Sequence, residues 1–454
     1  MRNVPIFPIF EGTHRQVWRI AAPMIVSNVS VPLLGIVDTA VVGHLEAPYY
    51  LGAVAVGATV FSFLFLGFNF LRMGTTGVAA QAFGTGDAAE MRNTLAQAVL
   101  SALGIALVLL ALQKPLAEAA WRLIEPSAVV EAHARTYFAV RIWSAPAVLV
   151  NYALIGWFIG MQNARGPLAL MLAINLTNIA LDLLFVLGFG LDVTGVALAS
   201  VIAEVAGVAL GFALVRHELG KYPARWQRSR ILDARRFRRL MGINFNLLVR
   251  TLSLMFAFGF LTAQGARLGN VMLAANALLL NFQYFMAYAL DGFAHAAEAL
   301  VGRAIGRDDR EAFARAVRAA LHWSLIVAAV FCAVYLAAGR GIVNVMTDLP
   351  EVRSAAYAFL PWLVVLPAVS VWSFLYDGIY VGATRAREMR NTMLFSAFAV
   401  YVPAWYLFRF LGNHGLWLAF LLFMAARGLS MHWLYRRIDR REGFARHQSP
   451  PAAV

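Results

Sequence analysis

The sequence predicts an all-α integral membrane protein, with about twelve transmembrane helices in two pseudo-symmetric six-helix lobes and a central cleft. Three observations lead there. The 454 residues are 61% hydrophobic and only 14% charged, with mean hydropathy +0.68, whereas soluble domains carry about 25% charged residues. Apolar runs recur along the whole chain, and roughly 20 apolar residues suffice to cross a bilayer. Glycines also repeat at an interval of 222: Gly43, Gly84, Gly156 and Gly160 return as Gly265, Gly306, Gly378 and Gly382.

In chain order the spans are expected near 17–43, 51–82, 93–112, 136–161, 167–190, 194–215, 240–266, 271–302, 314–338, 357–382, 391–410 and 415–435. Met1 to Arg19 carries Pro5, Pro8, Glu11 and three arginines, with no small-residue cleavage site, so no cleaved signal peptide is expected. With the N-terminus inside, the inner segments hold 27 Lys and Arg and the outer segments 7. The positive-inside rule then places both termini in the cytoplasm. A net charge of +14 could suggest nucleic acid, but its placement assigns it to topology and to anionic lipid.

The repeat extends beyond glycine. Leu51-Gly52-Ala53-Val54-Ala55 matches Leu273-Ala274-Ala275-Asn276-Ala277, and Gly84-Thr85-Gly86-Asp87 matches Gly306-Arg307-Asp308-Asp309. Gly195 matches Gly415 at a slightly shorter interval of 220. Six spans per half is an even number, so both halves enter from the same side as a parallel repeat. The expected division is a lobe over 1–215, a basic cytoplasmic linker over 216–240, a second lobe over 241–436 and a cytoplasmic tail over 437–454.

One stretch carries the functional signal. Pro32-Leu33-Leu34-Gly35-Ile36-Val37-Asp38 sets a carboxylate inside the first apolar run, six residues after a proline that permits a bend. An acid within a membrane helix must be protonated, paired or facing a wet cavity, and defaults to a functional hypothesis. Asn175, Asn178 and Asp182 fall at i, i+3 and i+7, on one helix face. Asn151 lies mid-span in the fourth helix, and Ser200 and Glu204 lie one turn apart in the sixth. Two acids ringed by amides and hydroxyls suit a proton or a small oxygen-ligated cation. Such amides and hydroxyls also serve simply to glue membrane helices together, and Glu204 has Arg72 or Arg141 as potential partners.

Asp38-Thr-Ala-Val-Val-Gly-His44, Gly84-x-Gly-Asp87, Gly156-Trp-Phe-Ile-Gly160-Met-Gln162 and Leu290-Asp291-Gly292-Phe293-Ala294 resemble the multidrug and toxic compound extrusion (MATE) family, most of all its DinF-like branch. The resemblance runs through nearly all twelve spans. It implies two six-helix lobes forming a V-shaped cavity, in a bacterial inner-membrane antiporter that exports organic, often cationic or amphipathic, compounds in exchange for H⁺ or Na⁺. Asp38 and Asp182 match first-lobe acids tied to cation coupling, with Asn178, Asn151 and Ser200 at neighbouring polar positions. Asp38, Asp182 and Asn178 are also the candidate Na⁺ ligands. Sodium-coupled relatives of another branch keep an acid in helix seven, where this chain has Arg250, which shifts the expectation to protons.

In the second lobe Arg250 is expected to pair with Asp291, and Asp377 to cap its helix or pair with Arg385. Asn175, Asp291, Met286, Tyr288 and Phe61 are candidates to line a substrate cleft, since flat rings and flexible methionines suit varied amphipathic cargo. The chain has no Gly-x-x-x-x-Gly-Lys-Ser/Thr phosphate loop, no His-Glu-x-x-His and no Gly-x-Ser-x-Gly elbow. His295-Ala-Ala-Glu298 is a weak metal signal, and the single Cys332 rules out an intrachain disulfide. No enzymatic activity, cofactor or resident metal is expected. A monomer in the bilayer with small organic substrates is the expected state, and a lipid-linked-oligosaccharide flippase or a membrane-embedded enzyme the alternative.

Overall fold

The computed structural model describes residues 12–43 and 47–444, without the side chains of 31–40, 42, 441 and 442. Its long helices follow the sequence: α1 Thr13–Val42, α2 Pro48–Thr85, α3 Ala88–Ala111, α4 Ala128–Gly160, α5 Arg165–Gly188, α6 Val193–Gly220, α7 Ala234–Arg267, α8 Asn270–Gly306, α9 Arg310–Met346, α10 Pro350–Gly382, α11 Ala386–Leu411 and α12 Asn413–Glu442. Eleven of them, α2 to α12, are long and apolar enough to cross a membrane. α1 has the length to do so at 30 residues. No strand occurs among the described residues.

Several helices exceed their apolar runs because polar turns extend them past the hydrocarbon. α9 begins at Arg310 behind Asp309, whose side chain accepts from the Ala312 amide at 2.8 Å. Asp87 caps α3 in the same way, accepting from Ala89 and Glu90. A short helix, Gln113–Ile124, precedes α4; its mixed charged and apolar sequence gave no membrane-span signal.

The chain divides into two compact units. The first is Val26–Met241; the second is Gly242–Val454 together with the start of the chain up to Ile25. The early turns of α1 thus belong with the second unit. Trp18 packs edge-on to Phe293 and Trp323 there, and a Cβ on Gly292 would collide with Ile25.

The 222-residue repeat is visible as packing inside each unit. Gly156 lets α4 touch the Arg72 carbonyl of α2, and Gly378 lets α10 touch the Ala294 carbonyl of α8. One turn on, a Cβ at Gly160 would lie 2.8 Å from Thr76 O, and one at Gly382 would lie 2.5 Å from Glu298 O. Both neighbours shift by the same interval as the glycines. Small residues at such crossings let membrane helices approach closely, where dispersion replaces the hydrophobic drive that lipid cancels.

The fifth helix of each unit contains a wide π turn, Leu183–Gly188 in α5 and Phe395–Tyr401 in α11. Such turns leave backbone groups out of the α ladder and concentrate at functional sites. In α5 the π turn starts directly after Asp182.

Candidate functional site

In the first unit a polar ladder crosses four helices. Asn175 of α5 donates to Ser30 Oγ of α1 at 3.0 Å, and Ser30 donates in turn to Ser27 O at 2.7 Å. One turn along α5, Asn178 donates to Ser200 Oγ of α6 at 3.4 Å. One turn along α6, Glu204 accepts from Asn151 of α4 at 2.8 Å. Asp182 is fully buried at the end of this row.

The i, i+3, i+7 spacing thus produced one buried face carrying Asn175, Asn178 and Asp182. Gly207 keeps the ladder closed, since a Cβ there would lie 3.0 Å from Asn151 Nδ2 and press on Ile174. Asp38 lies on α1, but its side chain falls outside the described residues; α1 itself runs as unbroken helix through Pro32.

The second unit gathers full charges instead. Arg250 of α7 and Arg427 of α12 both donate to Asp377 Oδ2 of α10, Arg427 at 2.9 Å. All three are buried. The expected Arg250–Asp291 pair is therefore replaced by Arg250–Asp377. Helix depth made Asp291 the nearest acid, but depth says nothing about azimuth, and α10 turns Asp377 towards α7. The expected Asp377–Arg385 pair is corrected too, because Arg385 reaches Glu388 at 3.0 Å. Asp291 is half-buried on α8, and its charge is felt at Arg427.

Arg427 was missed in the sequence. It stands in Met424-Ala-Ala-Arg427-Gly428, where a lone arginine near a basic helix end reads as topology. His295 Nδ1 faces Glu298 Oε1 at 3.4 Å, and among the described residues no three His, Cys, Asp or Glu side chains converge to hold a metal.

The proposed cleft residues divide. Phe61 is 1% exposed and stacks on Phe138 inside the first unit. Met286 is 0% exposed and packs with Leu290, Ala328 and Val371 inside the second. These two are core residues, as the abundance of aromatic and methionine side chains would suggest. Tyr288 is half-buried.

Twelve long helices built as a repeated six-helix unit, eleven of them long and apolar enough to cross a membrane, with polar groups buried among them, define a polytopic membrane protein. The MatE family model matches residues 23–184 and 247–407, one copy in each half of the repeat. The chain is 44% identical to the DNA damage-inducible protein F of Escherichia coli (strain K12), over 94% of this chain and 93% of that protein. It is 25% identical to the probable multidrug resistance protein NorM of Rhizobium meliloti, over 93% of both chains. Among solved structures, a Vibrio cholerae MATE transporter superposes with a TM-score of 0.84 at 22% identity, covering 95% of this chain and 98% of that one. A MATE structure in complex with MaD3S gives 0.85 at 18% identity, covering 95% and 97%. The chain belongs to the MATE family of multidrug and toxic compound efflux transporters.

Proposed function

We propose that this transporter is a proton-coupled antiporter of a bacterial inner membrane, with both termini in the cytoplasm, exporting organic cationic or amphipathic compounds as a monomer. Asp38 and Asp182 form the coupling site, supported by Asn178, Asn151 and Ser200. The observation that carries the reading is the burial of Asp182 at the end of an amide and hydroxyl ladder, directly before a π turn. An acid in that setting gains or loses a proton at the cost of rearranging hydrogen bonds between helices. That is the link a coupled transporter needs between protonation and conformation.

Coupling requires the site to bind its proton differently in the two facing states; equal affinity would shift nothing. The ladder joins α1, α5, α6 and α4, so a change at Asp182 reaches α1 through Asn175 and Ser30. Na⁺ is the alternative ion, held by the same oxygens. In the second unit the carboxylate is already neutralised by two guanidinium groups, which speaks against a cation site there.

The excess positive charge of Arg250, Asp377 and Arg427 favours a second reading, a flippase of the same superfamily that moves anionic lipid-linked cargo. Dye efflux from proteoliposomes under separate H⁺ and Na⁺ gradients tests both. Efflux driven by ΔpH alone, and lost in Asp38→Asn and Asp182→Asn, supports the proton mechanism. Sodium-driven efflux that survives both substitutions removes these acids from coupling. Absence of efflux for every cationic dye, with transfer of an anionic lipid-linked substrate, favours the flippase.

A further inference from the structure

The connection between α3 and α4 is itself a helix, and its two sides differ in character. α3 ends at Leu112, and Pro115 has no amide hydrogen to give the Ala111 carbonyl. The hydrogen-bond ladder breaks there, and the short helix Gln113–Ile124 follows. At 3.6 residues per turn, Leu116, Ala119 and Leu123 share one side of it, while Glu118 and Trp121 turn to the other.

The second side is fastened to α4. Trp121 is buried edge-on against Phe138. Arg135 lies over the Trp121 ring and donates to Glu118 at 2.6 Å and to Glu131 at 2.8 Å. The apolar side is left open among the described residues: Leu123 is 86% exposed, and Leu112, just before the helix, 48%.

The helix before it shows what covers that side. α3 is long and apolar enough to span the membrane. It exposes Leu100, Leu103, Leu107 and Val108, a stripe at i, i+3, i+7 and i+8. Exposed apolar side chains on a spanning helix meet lipid, and Ala111 and Leu112, both exposed, carry the stripe to the start of the short helix.

Depth agrees with this. Trp121 meets Phe138, ten residues past the start of α4 at Ala128, and Phe138 stacks on Phe61, thirteen residues past the start of α2 at Pro48. These contacts lie about 15 and 20 Å in from the helix starts, at 1.5 Å per residue. α2 and α4 have 38 and 33 residues, or about 57 and 50 Å against roughly 30 Å of hydrocarbon. With the excess shared between the two ends, the contacts fall just inside the hydrocarbon edge. That is the depth of an amphipathic helix lying in the membrane plane. Lys114 and Arg122 are matched by Glu118 and Glu125, so the helix has no net charge to select a headgroup.

We propose that Gln113–Ile124 lies in the plane of the membrane surface, with Leu112, Leu116, Ala119 and Leu123 inserted into the leaflet beside α3. Its partner is the apolar boundary of the bilayer, whatever the headgroup charge. Trp121 and the Glu118–Arg135 pair then tie the leaflet to α4, the helix that carries Asn151, and hold its height in the membrane.

The test is site-directed spin labelling of the full-length protein in a Cys332→Ala background. Leu123→Cys and Lys114→Cys are labelled separately and reconstituted into vesicles of phosphatidylcholine, with and without phosphatidylglycerol. Relaxation by oxygen, which partitions into lipid, is compared with relaxation by a water-soluble nickel chelate. The label at 123 should respond severalfold more to oxygen than to nickel, the label at 114 more to nickel, and both alike in the two lipid mixtures. Ala119→Cys, on the same side as Leu123, repeats the measurement if the label at 123 disturbs folding. A label at 123 that responds more to nickel than to oxygen overturns the proposal. So does protection from both reagents with dipolar broadening between labels, which assigns this side to a second copy of the chain. An oxygen preference that appears only with phosphatidylglycerol overturns the claim that apolar contact suffices.

Discussion

The two units share a helix plan and differ in what they bury. On the 222 interval, Asn175, Asn178 and Asp182 of the first unit correspond to Ala397, Val400 and Ala404 of the second. Ser200 and Glu204, on the 220 interval, correspond to Phe420 and Met424. Where the first unit runs its polar ladder, the second packs Tyr401, Phe420 and Phe423 ring against ring. The reverse holds for charge: Arg250, Asp377 and Arg427 answer to Asn28, Ile155 and Gly207. Backbone crossings were kept by the glycines while the side chains between them diverged. The scaffold repeats and the buried polar groups do not: one copy carries a row of amides, hydroxyls and carboxyls, the other two arginines on one aspartate.

The sharpest test of this division is transport. Asp182→Asn should reduce proton-driven efflux roughly tenfold or more, as expected for loss of a coupling free energy of about 1–3 kcal/mol. Drug-binding affinity measured at equilibrium should change much less. Removing Ser200's hydroxyl in Ser200→Ala should have a smaller effect, since a hydrogen bond between membrane helices is worth about 0.6 kcal/mol. If Asp182→Asn transports normally while Asp377→Asn does not, the roles of the units are reversed.

Stability should respond the other way round. Asp377→Asn removes the carboxylate that Arg250 and Arg427 share, leaving only the more distant charge of Asp291 near Arg427, at a cost of about 3–5 kcal/mol for breaking a buried pair. Pairing it with Arg427→Met should recover part of that loss, because an apolar side chain removes one of the stranded charges. Thermal unfolding of the single and double variants measures this. A neutral Asp377→Asn would mean that water or lipid already screens the cluster.

How far this was readable from sequence differs between scaffold and site. Hydropathy marks each span because lipid leaves no alternative for a long apolar run, and the glycine interval marks the repeat because a close crossing tolerates nothing larger. The face shared by Asn175, Asn178 and Asp182 follows from helical periodicity alone. The partner of Arg250 did not follow, because which of several acids meets an arginine depends on helix rotation, and neither hydropathy nor spacing encodes it. Arg427 and the Asn276–Asn413 amide pair, at 2.8 Å across α8 and α12, were illegible for the same reason. Each is a lone polar residue whose partner sits more than a hundred positions away or on another helix.

The smallest expected effect lies at the loop between the second and third helices of each half, where Asp87 and Asp309 cap the helix that follows. Partial burial pushes the Asp87 carboxyl up, but the backbone hydrogen bond from Glu90 and the Arg230 guanidinium outweigh it, holding it below its ordinary value of 3.8. A depressed folded-state value means that the ionised cap stabilises the fold. That contribution is complete above pH 3.8 and disappears as pH falls through the lower folded value. Asp87 is largely exposed, so solvent screens the Arg230 pair and the helix cap supplies most of the effect. Asp87→Ala should cost about 1 kcal/mol at neutral pH, the usual value of an N-cap. The deficit should vanish in acid, where the wild type has also lost its charge. Asp309→Ala should cost a similar amount. Unfolding both variants across pH checks this: an Asp87→Ala deficit that persists unchanged in acid would show that the ionised cap is not what stabilises the turn.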